Sequence, residues 1–437
     1  MENLLDSILA RGNIERAMQQ VIRNRGAAGV DGVEVEDLKE YMSKNWAGIE
    51  QAIRERRYKP QPVKRVEIPK ENGGVRKLGI PTVVDRTIEQ AIAQVLSPIF
   101  EKQFSEHSYG FRPGRSCEQA IVQLLNYFNE GATWIVDIDL EKFFDTVPQD
   151  RLMSLMNRTI HNGDVESLIR KYLQAGVMDR GRYEETEVGT PQGGNLSPLL
   201  SNIMLNELDK ELEARGLRFT RYADDCVIVV GSRASAKRVM YSITEWIERK
   251  LGLKVNAEKT CITKPTNLKY LGFGFWKSKE EWRARPHQKS VVKFKRKLKA
   301  LCRRSWSVDM TYRLIKLNEV IRGWINYFAL GDMKSAMQQV DEHLRTMLRV
   351  IIWKQWKVPS KREWGLKKLG VPEWLARKTS QWGDHYQFVA QKSCLKRAVS
   401  KEILTRRGLV SPLDYYLKQH ALKLNRTAGC RTARPVV

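Results

Sequence analysis

Apolar residues recur with helical spacing over much of the chain. Residues 3–25 and 35–57 show this spacing, and the glycine-rich run 26–32 between them cannot continue a helix. The same spacing predicts helices over four further segments: Val84–Phe100, Ser116 to about Tyr127, Pro198–Glu213 and Ala234–Leu251.

Apolar runs rich in β-branched residues predict strands between these helices. There are five such runs: Val63–Ile68, Val75–Ile80, a strand that begins at Trp134, Phe219–Val230 and Leu268–Trp276. The first two predict a hairpin with a basic tip at 69–74, and Phe219–Val230 predicts a second hairpin. Because strands and helices alternate without a strict βαβ repeat, we predict an α+β fold with helices packed on one face of an antiparallel sheet.

Beyond Trp276 the strands are expected to end, and three amphipathic helices follow. The first has an apolar stripe formed by Val291, Phe294, Leu298 and Leu301. The other two cover 311–329 and 335–357, so a three-helix bundle is predicted. From about Gly365 the sequence is basic, short-segmented and weakly periodic, which is typical of a nucleic-acid-binding appendage.

The charge distribution adds a functional expectation to this pattern. The 437 residues include 76 Lys and Arg against 50 Asp and Glu, and 37 of the basic but only 12 of the acidic residues lie in 277–437. Such an imbalance predicts a polyanion-binding surface, with nucleic acid as the natural partner. The six cysteines lack zinc or disulfide spacing, and neither a signal peptide nor an 18-residue apolar run occurs, so we expect a cytoplasmic protein without membrane contact.

Two adjacent acids, Asp224 and Asp225, interrupt the second predicted hairpin directly before an apolar run. Asp-Asp is also ordinary turn chemistry. Beside a hydrophobic strand, however, neighbouring carboxylates repel each other unless a divalent cation offsets the repulsion, and nucleotide polymerisation often uses such a pair. A further pair, Asp137 and Asp139, shares one face of the strand that begins at Trp134.

Several motifs occur in the order found in reverse transcriptases, and the chain most resembles the proteins encoded by bacterial group II introns. The matching motifs are Gly-x-x-Gly-x-Asp-Gly at 26–32, Ile-Pro-Lys and Gly-Ile-Pro within 68–81, Tyr-Gly-Phe-Arg-Pro-Gly-Arg at 109–115, Pro-Gln-Gly-Gly-x-x-Ser-Pro at 191–198 and Tyr-Ala-Asp-Asp at 222–225. The resemblance covers roughly residues 10–360.

This resemblance implies a right-hand polymerase. Its expected parts are an N-terminal extension and fingers over 1–85, a fingers and palm domain over 86–276, a helical thumb or maturase domain over 277–364 and a basic DNA-binding tail over 365–437. Larger relatives add a nuclease rich in cysteine and histidine, and the short class that this chain resembles lacks it. No endonuclease is therefore predicted.

The resemblance also implies an RNA-directed DNA polymerase that uses two Mg²⁺ ions, with Mn²⁺ as an alternative. Asp139 and Asp224 would bridge the ions, and Asp225 would be a third, less direct carboxylate. Asp137 and Asp145 compete with Asp139 for this role. Asp139 is preferred because its spacing to a following phenylalanine matches the family.

Five residues are assigned to the nucleotide or its leaving group by the same resemblance. Phe144 would close the sugar pocket against a 2′-hydroxyl, with core packing as the alternative. Lys70 and Arg76 would hold the triphosphate, with solvated hairpin charge as the alternative. Gln192 would pack on the incoming nucleotide, and Lys259 would protonate the pyrophosphate, although a lone loop lysine is usually only solvated.

Template and primer contacts are assigned to a scattered set of small and basic residues. Gly29 lies in an element that covers the template strand in the family, although its glycines are equally typical of turns. The full set is Gly29, Arg112, Gly193, Lys293, Lys295, Arg296 and Lys297. The bundle tryptophans at 306, 324, 353 and 356, together with the basic stripe, would suit contact with an RNA–DNA hybrid, but core packing is the favoured interpretation for most of them.

The expected partners are group II intron RNA, an RNA template with a DNA primer, dNTPs and target DNA. The protein, a monomer or dimer, would assist splicing as a maturase and copy the intron during retrohoming. Two alternatives stay open, namely a splicing cofactor without polymerase activity and a domesticated reverse transcriptase in defence or DNA repair.

Overall fold

The computed structural model describes residues 3–69, 73–191 and 193–432. The chain divides into two compact units, Met1–Lys264 and Pro265–Val437. The division into four domains expected from the sequence remains a prediction.

The first unit begins with three helices: α1 (Leu4–Leu9), α2 (Arg11–Asn24) and α3 (Leu38–Arg54). The single helix predicted over 3–25 is therefore wrong, because the chain breaks at Ala10, where ψ is 131°. The buried Asn13 side chain donates to the carbonyl of Ile8 at 2.9 Å and to that of Ala91 at 3.0 Å. It thereby satisfies a carbonyl left open where α1 ends.

The first predicted hairpin is confirmed as β1 (Val63–Pro69) and β2 (Val75–Ile80). Two short strands that the sequence did not predict, β4 (Val177–Asp179) and β5 (Arg182–Glu184), extend it into a sheet of order β2-β1-β4-β5. Strands β1 and β4 are parallel, with Val63 paired to Val177, whereas β1 with β2 and β4 with β5 are antiparallel. We call this sheet the fingers sheet.

The second sheet is wholly antiparallel and has the order β6-β7-β3-β8. Its strands are β3 (Trp134–Ile138), β6 (Arg218–Tyr222), β7 (Asp225–Val230) and β8 (Cys261–Thr263). Val136 and Ile138 point into the apolar core, which places Asp137 on the opposite face. The predicted α+β class is confirmed, and we call this sheet the palm sheet.

Seven helices surround the two sheets: α4 (Val83–Glu101), α5 (Cys117–Asn129), α6 (Phe143–Thr146), α7 (Gln149–Ile160), α8 (Gly163–Leu173), α9 (Ser197–Ala214) and α10 (Arg233–Trp246), the last continued by a π-helical turn (Ile247–Leu251). Ser116 and Gln119 form a capping box that starts α5. α10 packs on β3, β7 and β8, and α9 packs on β6. The strongly apolar α9 carries several buried polar residues that position neighbouring loops.

The second unit begins with a 3-10 turn (Pro265–Asn267) and a hairpin of β9 (Phe273–Lys277) and β10 (Trp282–Pro286). The expectation that strands end at Trp276 is therefore wrong. β10 has the sequence Trp-Arg-Ala-Arg-Pro, in which Ala284 and Pro286 are buried and the arginines are exposed. Its basic residues made it resemble the following helical region.

The three predicted helices are present as α11 (Gln288–Leu301), α12 (Met310–Phe328) and α13 (Lys334–Gln355). Val291, Phe294 and Leu298 form the buried stripe of α11, and Trp324 stacks on Phe294 with ring centroids 4.3 Å apart. Trp353 is fully buried, which confirms core packing for it.

Six further helices follow: α14 (Pro359–Lys368), α15 (Glu373–Ser380), α16 (Tyr386–Gln391), α17 (Ser393–Ala398), α18 (Lys401–Arg406) and α19 (Pro412–Thr432). α19 packs against both α12 and α13, so the bundle draws one of its helices from the predicted tail. Within the described residues, no helix has the length and apolar character needed to cross a membrane.

Candidate active site

A two-residue turn joins β6 to β7 at the paired acids, with Asp224 in the turn and Asp225 at the start of β7. Tyr222 and Asp225 close the hairpin, which leaves Ala223 and Asp224 at its tip. Ala223 has a φ of 58°, in the left-handed region that favours glycine. A tight hairpin turn requires such a residue, and here Asp224 follows it directly.

Asp139 lies just beyond β3 and is held by the segment that precedes β8. The backbone N–H of Asn256 donates to the Asp139 carbonyl at 2.8 Å, and the Thr260 hydroxyl accepts from the Asp139 N–H at 3.2 Å. Lys259 donates to both carboxylate oxygens of Asp139, at 3.2 and 3.3 Å. This lysine is therefore a counter-ion of Asp139 in the structure, a contact that its predicted role did not include.

Electrostatics show that the acids interact. Burial raises the pKa of Asp224, and the charge of Asp139 raises it further, whereas Arg76 opposes the shift. Burial, and then the charges of Asp225 and Asp139, raise the pKa of Asp137 to about 7. Carboxylates that are partly desolvated and repel each other favour a bound cation.

One cavity of about 1340 Å³ is lined by most of the residues predicted for catalysis and nucleotide binding. Asp139, Asp224 and Asp225 line it together with Asp145, whereas Asp137 is absent from its lining. Of the two competing carboxylates, only Asp145 therefore shares the cavity with the preferred Asp139.

Three of the residues assigned to the nucleotide also line this cavity: Arg76, Phe144 and Lys259. Phe144 is half-buried and packs edge-on against Phe143, with centroids 5.2 Å apart, so it combines core contact with a position at the cavity wall. Lys70 and Gln192 lie outside the described residues.

The loop before α9 fits closely against α6 and the fingers sheet. Gly189 has a φ of 91°, and an added Cβ there would lie 2.7 Å from the Phe144 carbonyl oxygen. The Thr190 N–H donates to that same oxygen at 2.7 Å. Gly193 has no room for a side chain beside the Gly79 carbonyl of β2, so its contact in this structure is with the fingers sheet.

Arg112 was predicted to contact the template, and the structure places its side chain inside the protein. The side chain is buried, and its guanidinium donates to Glu101 at 2.7 Å and to the carbonyls of Ser105 and Ser108. It also lies over the Phe104 ring at 5.4 Å. Its hydrogen bonds shape the 104–112 loop, and its contact with a template stays a prediction.

The remaining template assignments are placed as follows. An added Cβ at Gly29 would lie 2.6 Å from the Thr82 Cα, so this glycine allows close packing against the start of α4. In the second unit, the basic residues assigned to the hybrid are all exposed on α11: Lys293, Lys295, Arg296 and Lys297.

Sequence reasoning missed three residues that shape the site. Arg65 of β1 lines the cavity. Glu89 of α4 is buried and accepts the Asn195 N–H at 2.6 Å, which anchors the loop before α9. Arg221 is fully buried beside the acidic turn. Arg65 could have been found as a basic position on the predicted hairpin, but no sequence pattern identifies the distant partners of Glu89 and Arg221.

Within the described part of the chain, no three His, Cys, Asp or Glu side chains are already arranged to hold a metal ion. The three predicted acids nevertheless line one cavity, and the charge of Asp139 acts on Asp224. Oxygen ligands of this kind suit Mg²⁺. The donor set therefore fits a divalent cation once the side chains reorient toward it.

An acidic turn on an antiparallel sheet, facing a basic hairpin across a large cavity, is the arrangement of a nucleotidyl-transferring enzyme. Comparisons with known proteins identify its kind. Residues 68–275 match the family described as reverse transcriptase (RNA-dependent DNA polymerase), and residues 291–370 match the group II intron maturase-specific domain.

Individual relatives agree with this. The chain is 33% identical to protein YkfC of Escherichia coli K12 over 302 residues, 60% of this chain and 79% of that one. It is 28% identical to the group II intron-encoded protein LtrA of Lactococcus lactis over 453 residues, 88% of this chain and 72% of that one. The putative COX1/OXI3 intron 2 protein of Saccharomyces cerevisiae is 26% identical over 407 residues, 80% of this chain but only 46% of that one.

The chain belongs to the group II intron-encoded reverse transcriptases, which join a polymerase to a maturase domain. It is an RNA-directed DNA polymerase with a maturase role, and its family depends on divalent metal ions, binds intron RNA and uses a template and a primer. These findings support neither of the two alternatives left open by the sequence.

Proposed function

We propose that Asp139, Asp224 and Asp225 hold two Mg²⁺ ions for the transfer of a dNTP to a DNA primer on an RNA template. The observation that carries this proposal is that all three acids line one cavity. Asp224 lies at the hairpin tip directly after the left-handed Ala223, and Asp139 follows β3, the strand that pairs with β7. Bound Mg²⁺ would activate the primer 3′-hydroxyl and neutralise the triphosphate and leaving group.

The protein side chains around the acids would position the nucleotide. Arg76 would bind the triphosphate through its guanidinium fork, together with Lys70. Phe144 would pack against the sugar and exclude a 2′-hydroxyl, and Gln192 would pack on the nucleotide. Lys259, already paired with Asp139, would be released when that carboxylate binds a cation and would then be available to protonate the pyrophosphate.

Nucleic acid would be held on both units. The glycine-rich element that contains Gly29 and the loop at Gly193 would lie near the template. The exposed basic residues of α11 would follow the backbone of an RNA–DNA hybrid. Intron RNA would be the natural template for retrohoming, and target DNA would bind the basic segment 365–437.

The direct test is extension of a DNA primer on an RNA template with dNTPs and Mg²⁺. We expect Asp224→Ala to abolish extension and leave RNA affinity nearly unchanged, because basic side chains such as those of α11, and not the acidic turn, would contact the phosphates. Asp150→Ala is the matched control, since this acid is 91% exposed on α7 and does not line the cavity.

Two outcomes would count against the assignment. Extension by Asp224→Ala at the wild-type rate would remove the acidic turn from catalysis. A large loss of RNA affinity would mean that the paired acids are structural. Asp145→Asn in the same assay tests the remaining competitor of Asp139.

A further inference from the structure

Arg221 has no assigned role, yet it lies three residues before Asp224 in the strand that leads into the acidic turn. Its side chain is fully buried, as is that of its partner Asp209 on α9. Two parallel hydrogen bonds join them, Nε to Oδ1 at 2.7 Å and Nη2 to Oδ2 at 2.5 Å. Paired carboxylate and guanidinium groups of this kind have a fixed relative geometry.

The third nitrogen of the guanidinium points toward the acidic turn. Arg221 Nη1 donates to the carbonyl oxygen of Ala223 at 2.8 Å and to Oδ1 of Asn202 at 3.1 Å. Asn202, also on α9, donates in turn to the Gly110 carbonyl at 2.9 Å. The peptide that links Ala223 to Asp224 is thus bonded to a guanidinium that two side chains of the buried helix α9 hold in place.

Three further contacts restrict the same turn. Gly110 lies so close to the Ala223 backbone nitrogen that no side chain fits there. The Tyr109 N–H donates to the Arg221 carbonyl at 2.8 Å, and the Arg221 N–H donates to the His107 carbonyl at 2.9 Å. The left-handed Ala223 therefore keeps its φ of 58° because several contacts fix it from outside.

We propose that Arg221 is a positioning residue for the metal-binding acids. Held by Asp209 and Asn202, it fixes the Ala223 carbonyl and so sets where the Asp224 carboxylate stands before a cation binds. This rests on the proposed function, in which Asp224 is a metal ligand. Preorganised ligands bind a cation more tightly because less order must be created on binding.

Arg221→Lys is the informative variant, because lysine keeps the charge beside Asp209 but cannot bond Asp209, Asn202 and Ala223 together. We expect this variant to bind Mn²⁺ about tenfold more weakly, as measured on the full-length protein by the electron paramagnetic resonance signal of the free ion. A tenfold loss is the lower end of the usual effect when the support of a metal ligand is removed. The Mg²⁺ concentration for half-maximal primer extension should rise by the same factor, with the KM for dNTP at saturating Mg²⁺ unchanged.

Arg362→Lys is the matched control. Arg362 is similarly buried and is likewise bonded to a carboxylate, that of Asp384, and to a backbone carbonyl, that of Trp356, but it belongs to the second unit. It should lower the melting temperature as Arg221→Lys does while leaving the Mn²⁺ midpoint in place. Asn202→Ala, which keeps the Arg221–Asp209 pair, should give a smaller shift in the Mn²⁺ midpoint.

Equal shifts in the Mn²⁺ midpoint for Arg221→Lys and Arg362→Lys would overturn the proposal, as would an unchanged midpoint in Arg221→Lys. If Arg221→Lys does not fold, an unchanged midpoint in Asn202→Ala would do the same. Asp224→Ala in the same titration separates the metal-ligand role of Asp224 from the positioning role of Arg221, because unaltered Mn²⁺ binding in this variant would refute the metal assignment itself.

Discussion

Glu89, the buried carboxyl that anchors the loop before α9, gives the most quantitative test of how the site is held together. It lies on α4 beneath the loop that carries the Pro-Gln-Gly-Gly motif, and it accepts the Asn195 N–H at 2.6 Å. Burial, and then the charge of Asp85, raise the pKa of Glu89 to about 8. The folded protein therefore keeps this carboxyl neutral at a pH where the unfolded chain would ionise it.

The sign of the effect follows from this shift. Below pH 4.5, the ordinary pKa of a glutamate, the carboxyl is protonated in both the folded and the unfolded protein, and its full contribution to the free energy of unfolding is present. This contribution is lost as the pH rises toward 8, the pKa in the folded protein. At about 1.4 kcal/mol per pH unit, the loss reaches at most about 5 kcal/mol over this range. Glu89→Gln imitates the neutral form at every pH and should not show the loss.

The assay is urea unfolding of wild type and Glu89→Gln between pH 5 and 8, followed by far-ultraviolet circular dichroism. We expect the free energy of unfolding of the variant, relative to wild type, to increase steadily with pH by a few kcal/mol. Glu15→Gln, at an exposed position on α2, controls for the loss of a carboxylate. A difference between Glu89→Gln and wild type that does not change with pH would refute the reasoning.

Two further predictions concern the sugar pocket and the nucleic-acid surface. Phe144→Ala should lower the discrimination between dNTP and rNTP, measured as a ratio of kcat/KM values, by at least about tenfold, because the ring lines the cavity. Unchanged discrimination would leave Phe144 with core packing alone. Replacing Lys293, Lys295, Arg296 and Lys297 together with glutamine should reduce the slope of log affinity for an RNA–DNA hybrid against log salt by about three. The control replaces four exposed basic residues of the first unit, Arg11, Lys39, Lys44 and Lys102, and an equal change in both proteins would show that α11 does not face the hybrid.

The sequence predicted those elements whose pattern is local. The alternation around Asp137 and Asp139 and the apolar runs on either side of Asp224 identified the palm strands, and both hairpins formed as expected. The helices of the second unit followed from a stripe such as Val291, Phe294 and Leu298. Each of these features depends on neighbours within a few residues.

Features that depend on distant partners were not predicted. Arg112 resembled an exposed basic residue of a motif, yet Glu101 and two carbonyls bind it inside the protein. The strand β10 forms only because β9 provides its partner, and its basic residues concealed it. The buried pairing of Arg221 with Asp209 joins a strand to a helix twelve residues away, and no periodicity reports that contact.

The order of strands in the fingers sheet also determines when this part of the molecule can fold during synthesis. β1 lies between β2 and β4, and its partner Val177 follows Val63 by 114 residues. At about 5–20 residues per second, a ribosome needs roughly 6 to 20 s to make that intervening chain. During this interval the inner edge of β1 has no strand to pair with, so the nascent hairpin exposes backbone groups that could pair with another chain. Slowing or pausing translation between 80 and 177 should therefore promote aggregation of the nascent protein.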